Sequence, residues 1–241
     1  MKKNNLIFFS ATFFLLVCKT LVAEVTLPVC EGVDSFKWNN CLGAEKKSIA
    51  YDQLYKKQYK NKKNLYEGEY RNGKLYGQGV ITFPDGVKYE GQLKYNKPYG
   101  KGTMIFSNEI KYIGEFKYGL PNGQGTITYS DGKKYIGQFM DGKYHGLGTL
   151  IDSMGNQYIG KYKNNQRNGK GENIYANGNK YVGEIKNDIK HGYVIYIWAN
   201  GAKYEGEWKN AKLNGYGIYT YSDGRVLKGI WKESKLIEQK K

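Results

Sequence analysis

From Tyr66 onward, apolar and polar residues alternate with period 2, and the alternation restarts every 23 residues. Period-2 patterning reads as β-strand, because successive side chains leave opposite faces of the pleat. Tyr66, Tyr89, Tyr112, Tyr135, Tyr158, Tyr181 and Tyr204 open seven units and Leu227 opens an eighth, without insertion or deletion. Counted from the opening residue, positions 1, 3 and 5 carry tyrosine, glycine and a large apolar residue: Tyr70, Leu93, Phe116, Phe139, Tyr162, Ile185, Trp208 and Trp231 at position 5. Positions 14, 16 and 18 carry glycine, an apolar residue and usually an aromatic one, with Asp152 breaking the last column. Turn signals such as Asn72-Gly73 and Asp85-Gly86 separate the runs. Each unit therefore reads as a β-hairpin joined to the next by a tight turn, and repetition at this period signals a stacked array.

Composition sharpens that picture. Glycine reaches 32 of 241 residues, nearly twice the usual share of about 7%. All but Gly32 and Gly43 fall on positions 3, 8, 12, 14 or 21 of the units. Such a load disfavours helix, and without Gly-x-y triplets it is not collagen. A glycine beside a tyrosine on one face leaves bare backbone for the ring to cover. A single sheet can then bury aromatic area without a second layer. Glycine at position 21 is expected to supply the positive φ of the turn.

The units resemble MORN repeats, whose pattern is approximately Tyr-x-Gly-Glu-Trp-x-Asn-Gly-x-x-x-Gly-x-Gly ending in Asp-Gly. The resemblance implies an all-β fold: an elongated single-layer antiparallel sheet of stacked 23-residue hairpins. Eight two-stranded units would form a rod of roughly 75 Å. The array runs from 66 to 234, followed by a charged tail at 235–241 that would blunt the terminal edge.

The N-terminal part reads differently. Residues 1–23 combine Lys2 and Lys3, a 12-residue apolar run from Leu6 to Val17, and a cleavage site ending at Ala23. This is the pattern of a secretory signal peptide, too short for a comfortable membrane span. It predicts export to the periplasm or cell envelope. Bulky Val17 before Cys18 disfavours lipidation. Cleavage leaves Cys30 and Cys41, and an even pair in an exported chain reads as a disulfide closing the 24–43 segment, with two free thiols as the alternative. Leu27 to Gly43 also resembles the start of exported bacterial MORN proteins. In those the second cysteine runs almost directly into a repeat, whereas here the basic stretch 44–65 intervenes. Tyr51, Tyr55 and Tyr59 sit in it at helical spacing, which predicts a short helix capping the array.

Strand parity places positions 23, 2, 4 and 6 opposite the aromatics. Position 6 is basic in seven units, at Arg71, Lys94, Lys117, Lys163, Lys186, Lys209 and Lys232; position 23 adds Lys88, Lys111, Lys134, Lys180 and Lys203. Two readings follow: an anion-binding stripe, or a solvated face whose lysines pair with the position 4 acids Glu69, Glu115, Glu184 and Glu207. Removal of residues 1–23 takes Lys2, Lys3 and Lys19 and no acid, so the net charge of +16 becomes +13, an excess that favours contact with polyanions or a membrane surface. The same face turns apolar in the middle units, at Ile113, Ile136, Ile159 and Val182 (position 2) and Ile105, Ile151, Ile174 and Ile197 (position 17). That is either β-propensity on an exposed sheet or a docking patch for a partner or a second copy.

Catalysis finds little support. His145 and His191 both hold position 11 two units apart, roughly 19 Å, too far to share a metal ion. The glutamates of position 4 recur about every 9–10 Å but form a ladder of equivalent sites, not a pocket. No nucleophile-elbow, Walker A or zinc motif appears. Where the resemblance extends to MORN arrays fused to lipid kinases, the kinase chemistry belongs to another domain. The expectation is a non-catalytic exported scaffold, without cofactor, metal or nucleic acid, that binds a protein partner or itself. The alternative is a surface binder of anionic envelope lipids or glycans through the basic face.

Overall fold

The computed structural model describes residues 41–47, 64–210 and 212–240. The signal segment, Cys30 with its disulfide, and Tyr51, Tyr55 and Tyr59 lie outside the described residues. Seventeen strands follow in chain order: β1 (Cys41–Lys47), β2 (Asn64–Arg71), β3 (Lys74–Thr82), β4 (Lys88–Lys94), β5 (Lys97–Ile105), β6 (Lys111–Lys117), β7 (Leu120–Thr128), β8 (Lys134–Met140), β9 (Lys143–Ile151), β10 (Gln157–Lys163), β11 (Gln166–Ile174), β12 (Lys180–Lys186), β13 (Ile189–Ile197), β14 (Lys203–Lys209), β15 (Lys212–Thr220), β16 (Val226–Lys232) and β17 (Lys235–Lys240). Each pairs antiparallel with the next, giving one open meander. No helix occurs among the described residues.

Two corrections concern the ends. The helix expected over 44–65 does not start at 44: residues 44–47 continue β1, and Asn64 and Leu65 already belong to β2. The reason lies in the register, which sets Gly43 opposite Gly68 and so carries the glycine column one strand beyond the repeats. The stretch 235–240, expected as a charged tail, forms β17 and completes the eighth hairpin, with Leu236 packed against the core.

The glycine–tyrosine expectation holds in detail. Six of the seven opening tyrosines have no exposed surface and Tyr158 has 2%. A Cβ on Gly79 would sit 2.7 Å from Cε2 of Tyr66, and one on Gly125 would sit 2.6 Å from Cε2 of Tyr112, far inside contact distance. Bare backbone is thus what admits the ring. Position 5 residues meet the tyrosines edge-on, as in Tyr112–Phe116 and Tyr135–Phe139, the geometry that aromatic quadrupoles favour. Among the described residues, one row of rings becomes a core without a covering layer.

Both turns of each unit are explained by φ. The hairpin loop at positions 7 and 8 has two left-handed residues, as at Tyr95-Asn96 (φ 51° and 66°) and Asn164-Asn165 (51° and 70°), the type I′ geometry that matches strand twist. The second turn places position 21 at positive φ, and Glu109, the one non-glycine there, adopts φ 65° all the same.

Position 12 has a role that periodicity does not show. Between the facing pairs Gly68–Gly79 and Tyr70–Leu75, β2 has one residue and β3 has three. Gly77 takes φ 69° within this bulge. The carbonyl of position 4 is then satisfied from within the unit. The opening tyrosine's hydroxyl donates to it in all seven units, at 2.5 to 3.2 Å. The position 4 side chain closes the other side of the bulge. Glu69, Gln92, Glu115 and Gln138 each accept the N–H of position 13 of their own unit. Neighbouring units are stapled by turn contacts, such as Asn96 N–H to the Leu75 carbonyl and Leu75 N–H to Asn96 Oδ1. Stability is therefore nearest-neighbour in character.

Candidate functional site

The outer face is organised in rows that run across the strands. The first row reads Thr103, Ile113, Thr126, Ile136, Thr149, Ile159, Glu172 and Val182 in successive strands. Its four apolar members are 37–50% exposed. The adjacent row reads Ile105, Lys111, Thr128, Lys134, Ile151, Gln157, Ile174, Lys180 and Ile197. The position 17 isoleucines are therefore interrupted by Lys111, Lys134 and Lys180 and by Thr128 and Gln157 instead of extending one continuous patch. Ile105 and Ile174 are exposed, whereas Ile151 and Ile197 are half-buried. The result is a band of aliphatic surface in the middle units, studded with lysines along one side.

The predicted basic stripe divides in two. Positions 6 and 23 lie at opposite ends of the strand, separated by roughly 20 Å of backbone. At the position 23 end, Lys180 pairs with Glu172 at 2.5 Å and Lys203 with Glu205 at 2.6 Å. At the position 6 end, none of Arg71, Lys94, Lys117, Lys163, Lys186, Lys209 and Lys232 forms an ion pair with a described residue. The expected pairing with the position 4 acids fails because the bulges engage Glu69 and Glu115. Three of these cations sit over tyrosines instead: Arg71 over Tyr76, Lys94 over Tyr95 and Tyr99, and Lys117 over Tyr118. Lys209 and Lys232 line an open depression of 470 Å³ with Asn210, Glu233 and Ile237.

The inner face holds a cluster that column patterning does not reveal. Position 10 is Leu75, Pro98, Pro121 and Tyr144 in units 1–4, then Arg167 and Lys190 in units 5 and 6. Lys190 Nζ lies 4.8 Å from the ring centre of Tyr181, 5.2 Å from those of Tyr175 and Tyr196, and 5.6 Å from that of Trp208. Burial among these rings holds its pKa below the ordinary lysine value; Tyr196 opposes the shift and the Arg167 charge adds to it. Arg167 lies over Tyr158, pairs with Asp188 at 2.8 Å, and donates to Asn173 Oδ1 at 3.4 Å. Asn173 is only 5% exposed, and among the described residues neither its Nδ2 nor the buried indole N–H of Trp208 has a partner. Beyond them, half-exposed rings continue across the strands from Tyr196 to Trp198, Tyr219 and Tyr221, with centres 4.7 to 5.2 Å apart. No group of three or more metal-ligating side chains occurs among the described residues.

Fold and repeat define a β-meander array whose faces are built from columns of equivalent positions. The MORN repeat family matches residues 66–88, 89–109, 112–134, 135–157, 158–180, 181–203 and 204–224, and the chain belongs to that family. Among curated proteins, none matches it in sequence. Of solved structures, it is similar to the TCP domain of Drosophila melanogaster SAS-4, solved in complex with a proline-rich motif of Ana2: 13% identity, 65% of this chain and 85% of that one, TM-score 0.42. It is also similar to the TCP10 domain of Danio rerio CPAP: 12% identity, 74% and 84% coverage, TM-score 0.42.

Proposed function

We propose that this protein is a non-catalytic interaction scaffold that binds a protein partner through the outer face of its middle units. The observation behind this reading is the row of Ile113, Ile136, Ile159 and Val182, held in register and left exposed by the described residues. Such a band, edged by lysines, suits a partner with an apolar centre and an acidic rim. Crosslinking in the native cell, followed by mass spectrometry, tests it with an Ile136→Lys, Ile159→Lys double variant. Loss of a crosslinked partner supports the reading. A wild type that sediments faster than the double variant would make the partner a second copy. An unchanged crosslink pattern removes the reading.

A second reading rests on the unpaired cations at the hairpin tips, which suit an anionic envelope surface. Liposome binding lost by about 0.3 M salt supports it, since screening acts on exposed charges. Salt-insensitive association points back to the apolar band. We further propose, from the signal-peptide pattern of residues 1–23, that the mature protein lies outside the cytoplasm. N-terminal sequencing of the mature chain tests that placement, with Glu24 as the expected first residue.

A further inference from the structure

On the inner face, opposite the apolar band, units 5 and 6 set two cations and two buried donors among aromatic rings. Lys190 stands where Leu75 and Leu213 stand in other units, yet no carboxylate pairs with it among the described residues. Arg167, a second cation, is close enough to influence it and is itself held by Asp188 at 2.8 Å. Two buried donors, Asn173 Nδ2 and Trp208 Nε1, have no acceptor among the described residues. An unpaired cation and two unsatisfied donors each cost stability in a site walled by rings, so the natural complement is an acceptor-rich anion.

We propose that this cluster is a binding site for an acidic oligosaccharide, with one carboxylate-bearing sugar seated at Lys190 and Arg167 and the following sugars stacked along Tyr196, Trp198 and Tyr219. Three observations select this ligand. The cations converge on one place, and the ring run beyond it has no inner-face cation at Leu213, which fits a single carboxylate better than a chain of phosphates. The strands here are interior, with both edges of β12 and β13 paired, so an extended peptide finds no free backbone to add to. Recognition is left to side chains: flat rings for the C–H faces of sugars, and the Lys190 ammonium for the carboxylate. The site uses neither the outer row nor the basic tips and stands independently of the proposed scaffold role.

The test is titration of the full chain with trigalacturonate, followed by tryptophan fluorescence and calorimetry, against its methyl ester as the uncharged control. Wild type is expected to bind the acid and to lose about tenfold in affinity for the ester. Lys190→Leu is expected to lose at least about tenfold in affinity for the acid while melting no lower than wild type, which a merely structural lysine would not do. Trp198→Ala, on the half-exposed run, is expected to weaken both ligands together. Equal binding by Lys190→Leu overturns the proposal, as does no binding of trigalacturonate at millimolar concentration. Tighter binding of hexaglutamate or of a single-stranded oligonucleotide overturns the sugar assignment.

Discussion

The inner face of units 1–4 and that of units 5 and 6 share one backbone and differ in chemistry. Both keep the opening tyrosine over its glycines and its hydroxyl on the position 4 carbonyl. In the first region, positions 10 and 16 close the surface with Leu75, Pro98, Ile81 and Met104, all buried. In the second, the same columns carry Arg167, Lys190, Asn173 and Tyr196. Positions 1, 3, 12 and 14 are thus concerned with making the sheet, and positions 10, 16 and 18 are free to vary once it is made. A repeat array can in this way carry a stable end and a chemically distinct site without any change of fold.

The sharpest way to break the comparison is at its shared part. Gly137→Ala would place a Cβ 2.5 Å from the Gly148 Cα, 2.6 Å from the Leu147 carbonyl oxygen and 2.8 Å from the Tyr135 hydroxyl, so that both backbone and ring would have to yield. A loss of about 3 kcal/mol or more is expected in urea unfolding. Gly132→Ala meets nothing within 4 Å at φ 85° and should cost only the left-handed strain, about 1 kcal/mol. Equal losses would mean that ring packing is not what the strand glycines serve.

Alkali should act on the tyrosine column that runs through the whole array, as at Tyr135 in unit 4 and Tyr204 in unit 7. Burial pushes Tyr135 and Tyr204 up to about 12 from an ordinary 10.0, against a backbone hydrogen bond at Tyr135 and with Glu207 adding to the shift at Tyr204. The raised folded-state value means that the fold holds these protons more tightly than the unfolded chain. Their contribution is complete below pH 10 and falls as pH rises through about 12. Tyrosinate absorbance should therefore appear together with loss of the β circular-dichroism signal. Ionisation of the whole buried set before unfolding would contradict the packing described.

Exchange between the regions gives opposite signs. Leu75→Lys, at a residue with 0% exposure, should destabilise by about 3 kcal/mol. Lys190→Leu should stabilise by about 1 kcal/mol by removing a desolvated charge. Thermal melts of the two variants check both, and a destabilising Lys190→Leu would show the lysine to be structural. The smallest effect belongs to the bulge. Glu115→Gln should be neutral within about 0.3 kcal/mol, because Gln92 and Gln138 make the same bond in their units, whereas Glu115→Ala should lose about 1 kcal/mol.

Much of the fold is legible in the order of residues along the chain. The strand assignment, the hairpin per unit, the buried tyrosine column and the use of glycine under the rings all follow from local periodicity. Local periodicity is what a meander of sequential hairpins preserves. The limits are equally specific. Glu69 and Glu115 read as partners for the basic row, but the two-residue excess of the bulge turns them toward backbone N–H groups. Ile105 and Ile174 read as one patch with Ile113 and Ile136, but cross-strand register sets Lys111 and Lys180 beside them. For the inner cluster, the one signal in the sequence is the departure of Arg167 and Lys190 from their own column.

The sequence by itself determined the class of element, the period and the ring-over-glycine core, because each depends on residues within a few places of one another along the chain. Only the tertiary structure decided which outer residues adjoin, what the position 4 side chains bond to, and that Arg167, Asn173, Lys190 and Trp208 meet. Those outcomes depend on strand register and bulge placement, which bring together residues from separate units.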